Sequence, residues 1–175
     1  MKQLEIERKF ILFSTPILYA LTSEQDNIER LRIHQFYILD DELSIPVRYR
    51  QTTRLDFYEN ETLSIKFEKF IKKNISHGIN EEEFWEISKD DFLEAKKENI
   101  ISELAKSRDV YHDKEQNLKF ELDNFYPKTL LILEVELPDI NHKFTFPEVI
   151  ENQIIHEVTG ISAFSNMNLG SLKYH

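Results

Sequence analysis

Gln3-Leu4-Glu5-Ile6-Glu7-Arg8-Lys9-Phe10 sets Glu5, Glu7 and Lys9 on one side of an extended chain and Ile6 and Phe10 on the other. The stretch reads as a β-strand with one ionic face and one apolar face. The same period of two returns along the chain. Arg48 and Arg50 flank Tyr49, Lys66 stands between Ile65 and Phe67, and Lys106 and Arg108 are two apart. Lys119, Glu121 and Asp123 alternate with Phe120 and Leu122, and Glu134 and Glu136 alternate with Leu133, Val135 and Leu137.

Two readings compete for these faces. In one, each strand turns its charges to water and its apolar side to a core, as half-exposed sheets commonly do. In the other, the charges line an enclosed interior. The sorting of sign by strand favours the second. Glutamates are paired on the first strand and on 131–137, whereas cations are paired on 47–50 and 105–108. A solvated sheet would mix signs, because like charges directly opposed are destabilising. An interior lined this way needs partners for both sets, divalent metal for the carboxylates and a polyanion for the cations.

Between the strands the punctuation is sparse. Three glycines and five prolines occur in 175 residues, with no linker, repeat or low-complexity tract, so residues 1–175 are expected to form one domain. Strands are expected at 3–13, 28–39, 45–58, 62–70, 81–87, 105–112, 117–125 and 129–137. Asp40-Asp41-Glu42 and Tyr58-Glu59-Asn60-Glu61 read as turns, and 72–78 as a polar loop. Ser14-Thr15-Pro16 predicts a helix start, with Ile17, Leu18 and Leu21 at helical spacing. Asp90-Asp91 predicts a second helix carrying Leu93, Ile100, Ile101 and Leu104. Segments 147–158 and 166–174 read as helical. The expected fold class is α+β, a closed antiparallel β-barrel of eight strands with flanking helices.

Composition narrows the chemistry. Hydrophobic residues make 41% and charged residues 31%, as in globular proteins. The chain has no cysteine, so a metal would be held by oxygen or imidazole, and 32 Asp and Glu favour oxygen. A net charge of −10 argues against nucleic acid as partner. No basic start followed by a long apolar run is present, which predicts no signal peptide, no membrane span and a cytoplasmic protein. The histidines show no ligand spacing of the His-x-x-x-His kind.

With these residues in hand, Glu5-Ile6-Glu7-Arg8-Lys9-Phe10 resembles the N-terminal Glu-x-Glu-x-Lys signature of the CYTH superfamily, the triphosphate tunnel metalloenzymes. Further segments resemble the family's strands in order: Gln35-Phe36-Tyr37, Val47-Arg48-Tyr49-Arg50, Leu63-Ser64-Ile65-Lys66, Lys106-Ser107-Arg108, Leu122-Asp123-Asn124-Phe125 and Leu133-Glu134-Val135-Glu136. The resemblance spans nearly the whole chain and implies an eight-stranded tunnel open at both ends. It implies that Glu5, Glu7, Asp123, Glu134 and Glu136 hold Mg²⁺ or Mn²⁺. Lys9, Arg48, Arg50, Lys66, Lys106 and Arg108 would bind phosphates, with Glu5, Glu7, Lys9, Arg48, Arg50 and Lys66 forming the catalytic set. One strand departs from the pattern. Where the family commonly shows Arg-x-Glu-x-Glu, alignment on Ile87 matches only Glu83, and Glu81 and Trp85 replace the arginine and the second glutamate.

Phosphoryl transfer asks a protein for positioning and charge neutralisation more than for covalent chemistry. The expected function is therefore metal-assisted attack of water on inorganic tripolyphosphate or a related triphosphate. A class IV type adenylate cyclase and a non-catalytic binder of polyphosphate or nucleotide are the alternatives. The expected partner is a small-molecule triphosphate, with the protein acting as monomer or homodimer.

Overall fold

The computed structural model describes residues 1–21, 27–40, 44–56 and 59–171, excluding the side chains of Tyr19 and Ser171. Its strands are β1 (Lys2–Leu12), β2 (Ile28–Asp40), β3 (Ile45–Leu55), β4 (Thr62–Ser76), β5 (Ile79–Glu86), β6 (Ile100–Asp113), β7 (Leu118–Tyr126), β8 (Leu130–Glu136) and β9 (Ile154–Glu157). Three short helices accompany them: α1 (Lys89–Ala95), α2 (Glu148–Glu151) and α3 (Asn166–Ser171). The strands follow the order β5-β4-β3-β2-β6-β7-β8-β1, all antiparallel, and a β1–β5 pairing closes the ring. The first half of β1 pairs with β5, and its second half pairs with β8 on one edge and β9 on the other.

The registers fix which residues share the inside. Glu7 stands opposite Glu136, Lys9 opposite Glu134, Glu121 opposite Glu134, and Arg108 opposite Asp123. Arg48 lies opposite Tyr37 and Phe70, and Lys72 opposite Glu82. The ionic faces thus look inward. The alternate residues Phe10, Phe120, Leu122, Leu133 and Val135 look outward and are buried with Ile150 of α2 under Phe144 and Phe146. Phe10 meets Phe146 edge-on with ring centroids 5.0 Å apart. On another wall Phe92 of α1 packs on Phe36 and Phe67, each with centroids 5.1 Å away. On these two walls the apolar side of the strands is covered by helix or loop, whereas Leu4, Leu63 and Ile65 stay exposed on the outer face.

Several expected helices are corrected. Residues 14–21 form only a 3₁₀ turn at Leu18–Ala20. The helix near 90 is short and is capped by Ser88, whose side chain accepts from the Asp91 backbone N–H while Asp91 accepts from that of Ser88. Ile100, Ile101 and Leu104 belong to β6, and Ile154-Ile155 to β9. In both places consecutive β-branched residues, which suit an extended backbone, follow a helix of two turns or fewer. The polar loop expected at 72–78 is mostly strand, since β4 runs on to Ser76. Asp41 and Glu42 of one expected turn, Tyr58 of the other, and residues 172–174 of the expected last helix lie outside the described residues.

Candidate functional site

Two ionic groups occupy the inner face. The first is centred on buried Lys106, Arg108 and Asp123 and joins four strands. Arg108 donates from Nε to Asp123 Oδ1 at 2.6 Å and from Nη2 to Asp123 Oδ2 at 2.6 Å and Glu134 Oε2 at 2.5 Å; it also meets Glu121. Lys106 Nζ donates to Asp123 Oδ2 at 2.5 Å and to Asn166 Oδ1 at 3.2 Å, and the side chains of Lys106 and Asp123 are 0% exposed. Lys9 Nζ reaches Glu134 Oε1 at 2.6 Å.

These neighbours set the protonation states. Burial alone would raise the Glu134 carboxyl, but Lys9, Arg108 and Lys106 together hold it well below the usual carboxylate range. Burial, aided by repulsion from Arg108, lowers the Lys106 ammonium to about 8 against the pull of Asp123. Burial likewise raises Glu121, with Arg108 opposing and Glu134 reinforcing the rise.

The second group lines a cavity of about 530 Å³. Glu7, Lys9, Arg48, Lys72 and Asn80 form its polar wall. Lys72 Nζ contacts Glu5 and lies 3.3 Å from Glu7 Oε1, and Lys9 Nζ lies 3.3 Å from the same oxygen. Arg48 Nη2 donates to Glu82 Oε1 at 2.7 Å, its guanidinium carbon lies 4.1 Å from the Phe70 ring centroid, and its buried Nε has no acceptor. Arg50 donates to Gln35 Oε1 at 3.3 Å and, among the described residues, has no carboxylate partner. Burial, with repulsion from Arg48 and Arg108, brings Arg50 down to about 10.

The C-terminal segment completes the cavity with Thr159, Ile161, Phe164 and Met167. Thr159 Oγ1 accepts from the Lys9 backbone N–H at 3.0 Å, and Ser102 donates to the Met167 carbonyl at 2.6 Å. Leu169 and Phe164 pack on the inward residues Leu104, Phe125, Ile132 and Leu130, so α3 narrows this mouth of the barrel. Gly78 and Gly160 make the close approach possible. Both have positive φ, and a Cβ at Gly78 would stand 2.9 Å from the Glu7 carbonyl, one at Gly160 2.3 Å from His77 Nδ1.

The expected site residues divide accordingly. Glu7, Lys9 and Arg48 meet at the cavity, and Glu5 adjoins it through Lys72. Lys106, Arg108, Asp123 and Glu134 are joined to one another, with the Asp123 carboxylate wholly buried. Lys66 shares the inward side of β4 but lies exposed opposite Thr52, away from the cavity. Glu83 is on the outer wall, 3.8 Å from Lys2, as are Glu81 and Trp85. Counting from the Gly78 turn instead of Ile87 points Asn80 and Glu82 inward, so Glu82 is the buried glutamate of that strand. Lys72 falls in the stretch expected as a loop, where the face it shares with Phe70 and Asn74 cannot be read from sequence.

Glu136, opposite Glu7, ends β8 with its tip open to solvent, yet the surrounding wall desolvates its carboxyl, and repulsion from Glu121 and Glu5 helps push it up to about 7. A raised carboxyl keeps a proton in the folded chain that the unfolded chain has lost. Its stabilisation is present at low pH and is lost as pH climbs from about 4.5 through 7. In buffer free of divalent metal, Glu136→Gln is expected to flatten the fall in thermal midpoint between pH 5 and 8. An unchanged slope would remove Glu136 as its source.

Superposition on solved structures decides the architecture. The protein described as the inorganic triphosphatase NE1496 matches with a TM-score of 0.58 at 22% identity, over 95% of this chain and 97% of that one. This is the triphosphate-tunnel fold. The PH1819 protein from Pyrococcus horikoshii OT3 superposes with a TM-score of 0.55 at 16% identity, over 78% of this chain and 80% of its own. PH1012 from the same organism gives 0.51 at 19%, with the same coverage. No family model and no curated protein matches the sequence. No described helix of this tunnel protein is long and apolar enough to cross a membrane. A second hollow, of about 600 Å³ beside Tyr111 and Phe146, is lined by none of the candidate residues.

Proposed function

We propose that the chain is a metal-dependent triphosphatase whose substrate phosphates lie along Arg48, Lys9 and Lys72. The observation that carries this reading is Arg48. Its guanidinium is buried at the cavity wall with one N–H on Glu82 and Nε lacking an acceptor. Two ammonium groups line the same cavity, and a phosphate oxygen would supply the missing acceptor in the fork geometry arginine favours.

The carboxylates differ in their fit to a divalent cation. Among the described residues no three acidic or imidazole groups surround one point. Asp123 and Glu134 are saturated by Lys106, Arg108 and Lys9, so they suit a structural role. Glu5, Glu7 and Glu136 fit better: they are oxygen donors on adjacent strands, countered chiefly by Lys72 and Lys9. Mg²⁺ or Mn²⁺ held there would polarise a phosphoryl oxygen and assist a water nucleophile. The chain's own part is to bind and orient. Arg48 fixes a phosphate plane, Lys9 and Lys72 neutralise charge, and the barrel wall limits competing water.

Glu81 and Trp85 face outward, and the inward positions of the same strand are Asn80, Glu82 and Phe84, so β5 brings one carboxylate and no cation to the tunnel. The test is incubation with tripolyphosphate and with ATP in Mg²⁺ or Mn²⁺, read for orthophosphate and for cyclic AMP. Orthophosphate release that chelator abolishes is the expected result. Cyclic AMP without orthophosphate would replace hydrolysis by cyclisation, and binding without turnover would refute catalysis.

A further inference from the structure

Two cations of the inner wall each reach past the strand beside them. Arg48 on β3 crosses β4 to meet Glu82 of β5. Lys72 on β4 stands directly opposite Glu82, which Arg48 has taken. It crosses β5 instead to the carboxylates of β1, contacting Glu5 and lying 3.3 Å from Glu7 Oε1. The strand it crosses offers Glu5 only the neutral amide of Asn80, at 3.4 Å, and Asn80 in turn accepts from Asn74 at 3.2 Å. The other ammonium on Glu7 belongs to Lys9, whose side chain is 12% exposed and fixed by Glu134 at 2.6 Å. The Lys72 side chain is 30% exposed and is joined to carboxylates of β1 alone. Of the two cations on Glu7, Lys72 is the one free to move.

Glu5 and Glu7 are also the pair that fits a divalent cation best. A like charge at hydrogen-bonding distance repels strongly inside a low-dielectric wall, so the ammonium and the cation compete for the same oxygens. From this cross-strand contact we infer that Lys72 occupies the metal's carboxylates until a polyanion draws it away, and so makes metal and polyphosphate bind cooperatively. The inference rests on the triphosphatase reading and adds a control of that same site. Without a polyanion, Lys72 can release Glu5 and Glu7 only to water, and metal affinity falls by what that contact contributes. With one, the same ammonium on its flexible stem exchanges carboxylate for phosphate oxygen within the cavity it lines, and stays paired. Linkage makes the effect mutual: the factor that the anion adds to metal affinity is the factor that metal adds to anion affinity. Lys72 is thus a positioning residue that delays metal loading until the phosphate chain arrives.

The experiment titrates Mn²⁺ into anion-free wild-type protein and the variants Lys72→Met, Lys72→Gln and Lys72→Arg, with free ion counted by electron paramagnetic resonance. The two neutral variants are expected to bind Mn²⁺ more tightly than wild type by about tenfold, within the range usual for coupling between sites, and the arginine variant to stay near wild type. Glu7→Gln added to Lys72→Met is expected to abolish the gain, which places the ion on these carboxylates. Thermal midpoints verify folding, and Mn²⁺ should raise those of the neutral variants more than that of wild type. At saturating Mn²⁺ the neutral variants are expected to lose about tenfold in kcat/KM for tripolyphosphate. Tighter metal binding with weaker turnover is a pair of opposite changes that mere loosening of the wall does not produce. Mn²⁺ affinity in the neutral variants equal to or below that of wild type would overturn the inference, and orthophosphate release by wild type would then leave the triphosphatase reading standing. No Mn²⁺ binding and no orthophosphate release in any of the proteins would refute both.

Discussion

Replacing Arg48 by alanine is expected to cut kcat/KM for triphosphate by about 10²–10³-fold, a loss of ~3–4 kcal/mol of transition-state stabilisation. Three functions of one side chain are lost together: the buried bond to Glu82, the stack on Phe70 and the free Nε at the cavity. The substitution also strands Glu82, which is 5% exposed, without its cation. An uncompensated buried carboxylate costs about 3–5 kcal/mol or takes up a proton. The two effects separate in the double variant Arg48→Ala with Glu82→Gln, which should regain much of the thermal stability and none of the activity. Arg48→Lys should keep charge but lose the planar fork, leaving activity well below wild type. Phosphate release and thermal melting of the three proteins provide the check. Wild-type turnover by the alanine variant would place the phosphate chain elsewhere.

Asp123→Asn is expected to act the other way, on stability before chemistry. Asp123 is 0% exposed and neutralises both Lys106 and Arg108. The amide keeps the shape but removes the charge, leaving two buried cations to share Glu134 and Glu121. A loss of ~3–5 kcal/mol is expected, a large part of the stability of a domain this size. Lys106 offers an internal control. Its folded value of about 8 lies below the ordinary 10.5, so the folded chain releases a proton that the unfolded chain retains, and this group's contribution rises from about pH 8 to 10.5. Lys106→Met combined with Asp123→Asn should therefore recover part of the loss, most clearly below pH 8. Denaturant unfolding at pH 7 measures both. A single variant as stable as wild type would show that the buried cluster is not what braces these four strands.

The inward faces were readable because period-two alternation survives any error in strand ends. Glu5, Glu7 and Lys9 keep their side whether β1 stops at Phe10 or Leu12. Parity failed only where it was counted from the wrong anchor: Ile87 put Glu83 inside, and the Gly78 turn puts Glu82 there. Short apolar runs misled for a different reason. Ile100, Ile101 and Leu104 fit helical spacing and strand content alike, and only pairing with β2 settles them as strand. The division of the site could not be read at all. Whether Lys106 and Arg108 meet ligand or Asp123 depends on cross-strand registers and on the segment after Thr159, whose approach to Lys9 spans 150 residues of sequence.

The way β1 shares its two halves among three partners has a kinetic corollary. Its outer neighbours include β8 and β9, so the interior does not exist until chain segments some 125 residues apart have met, as Lys9 and Glu134 do. Ring closure of this kind imposes a high contact order and slow assembly. Until then the earliest strand presents a row of unpaired amides beside an ion-rich face, whose charges discourage the edge-to-edge sticking to which a waiting strand is prone. The same acids and bases that line the finished channel would thus guard the nascent polypeptide against its own kind.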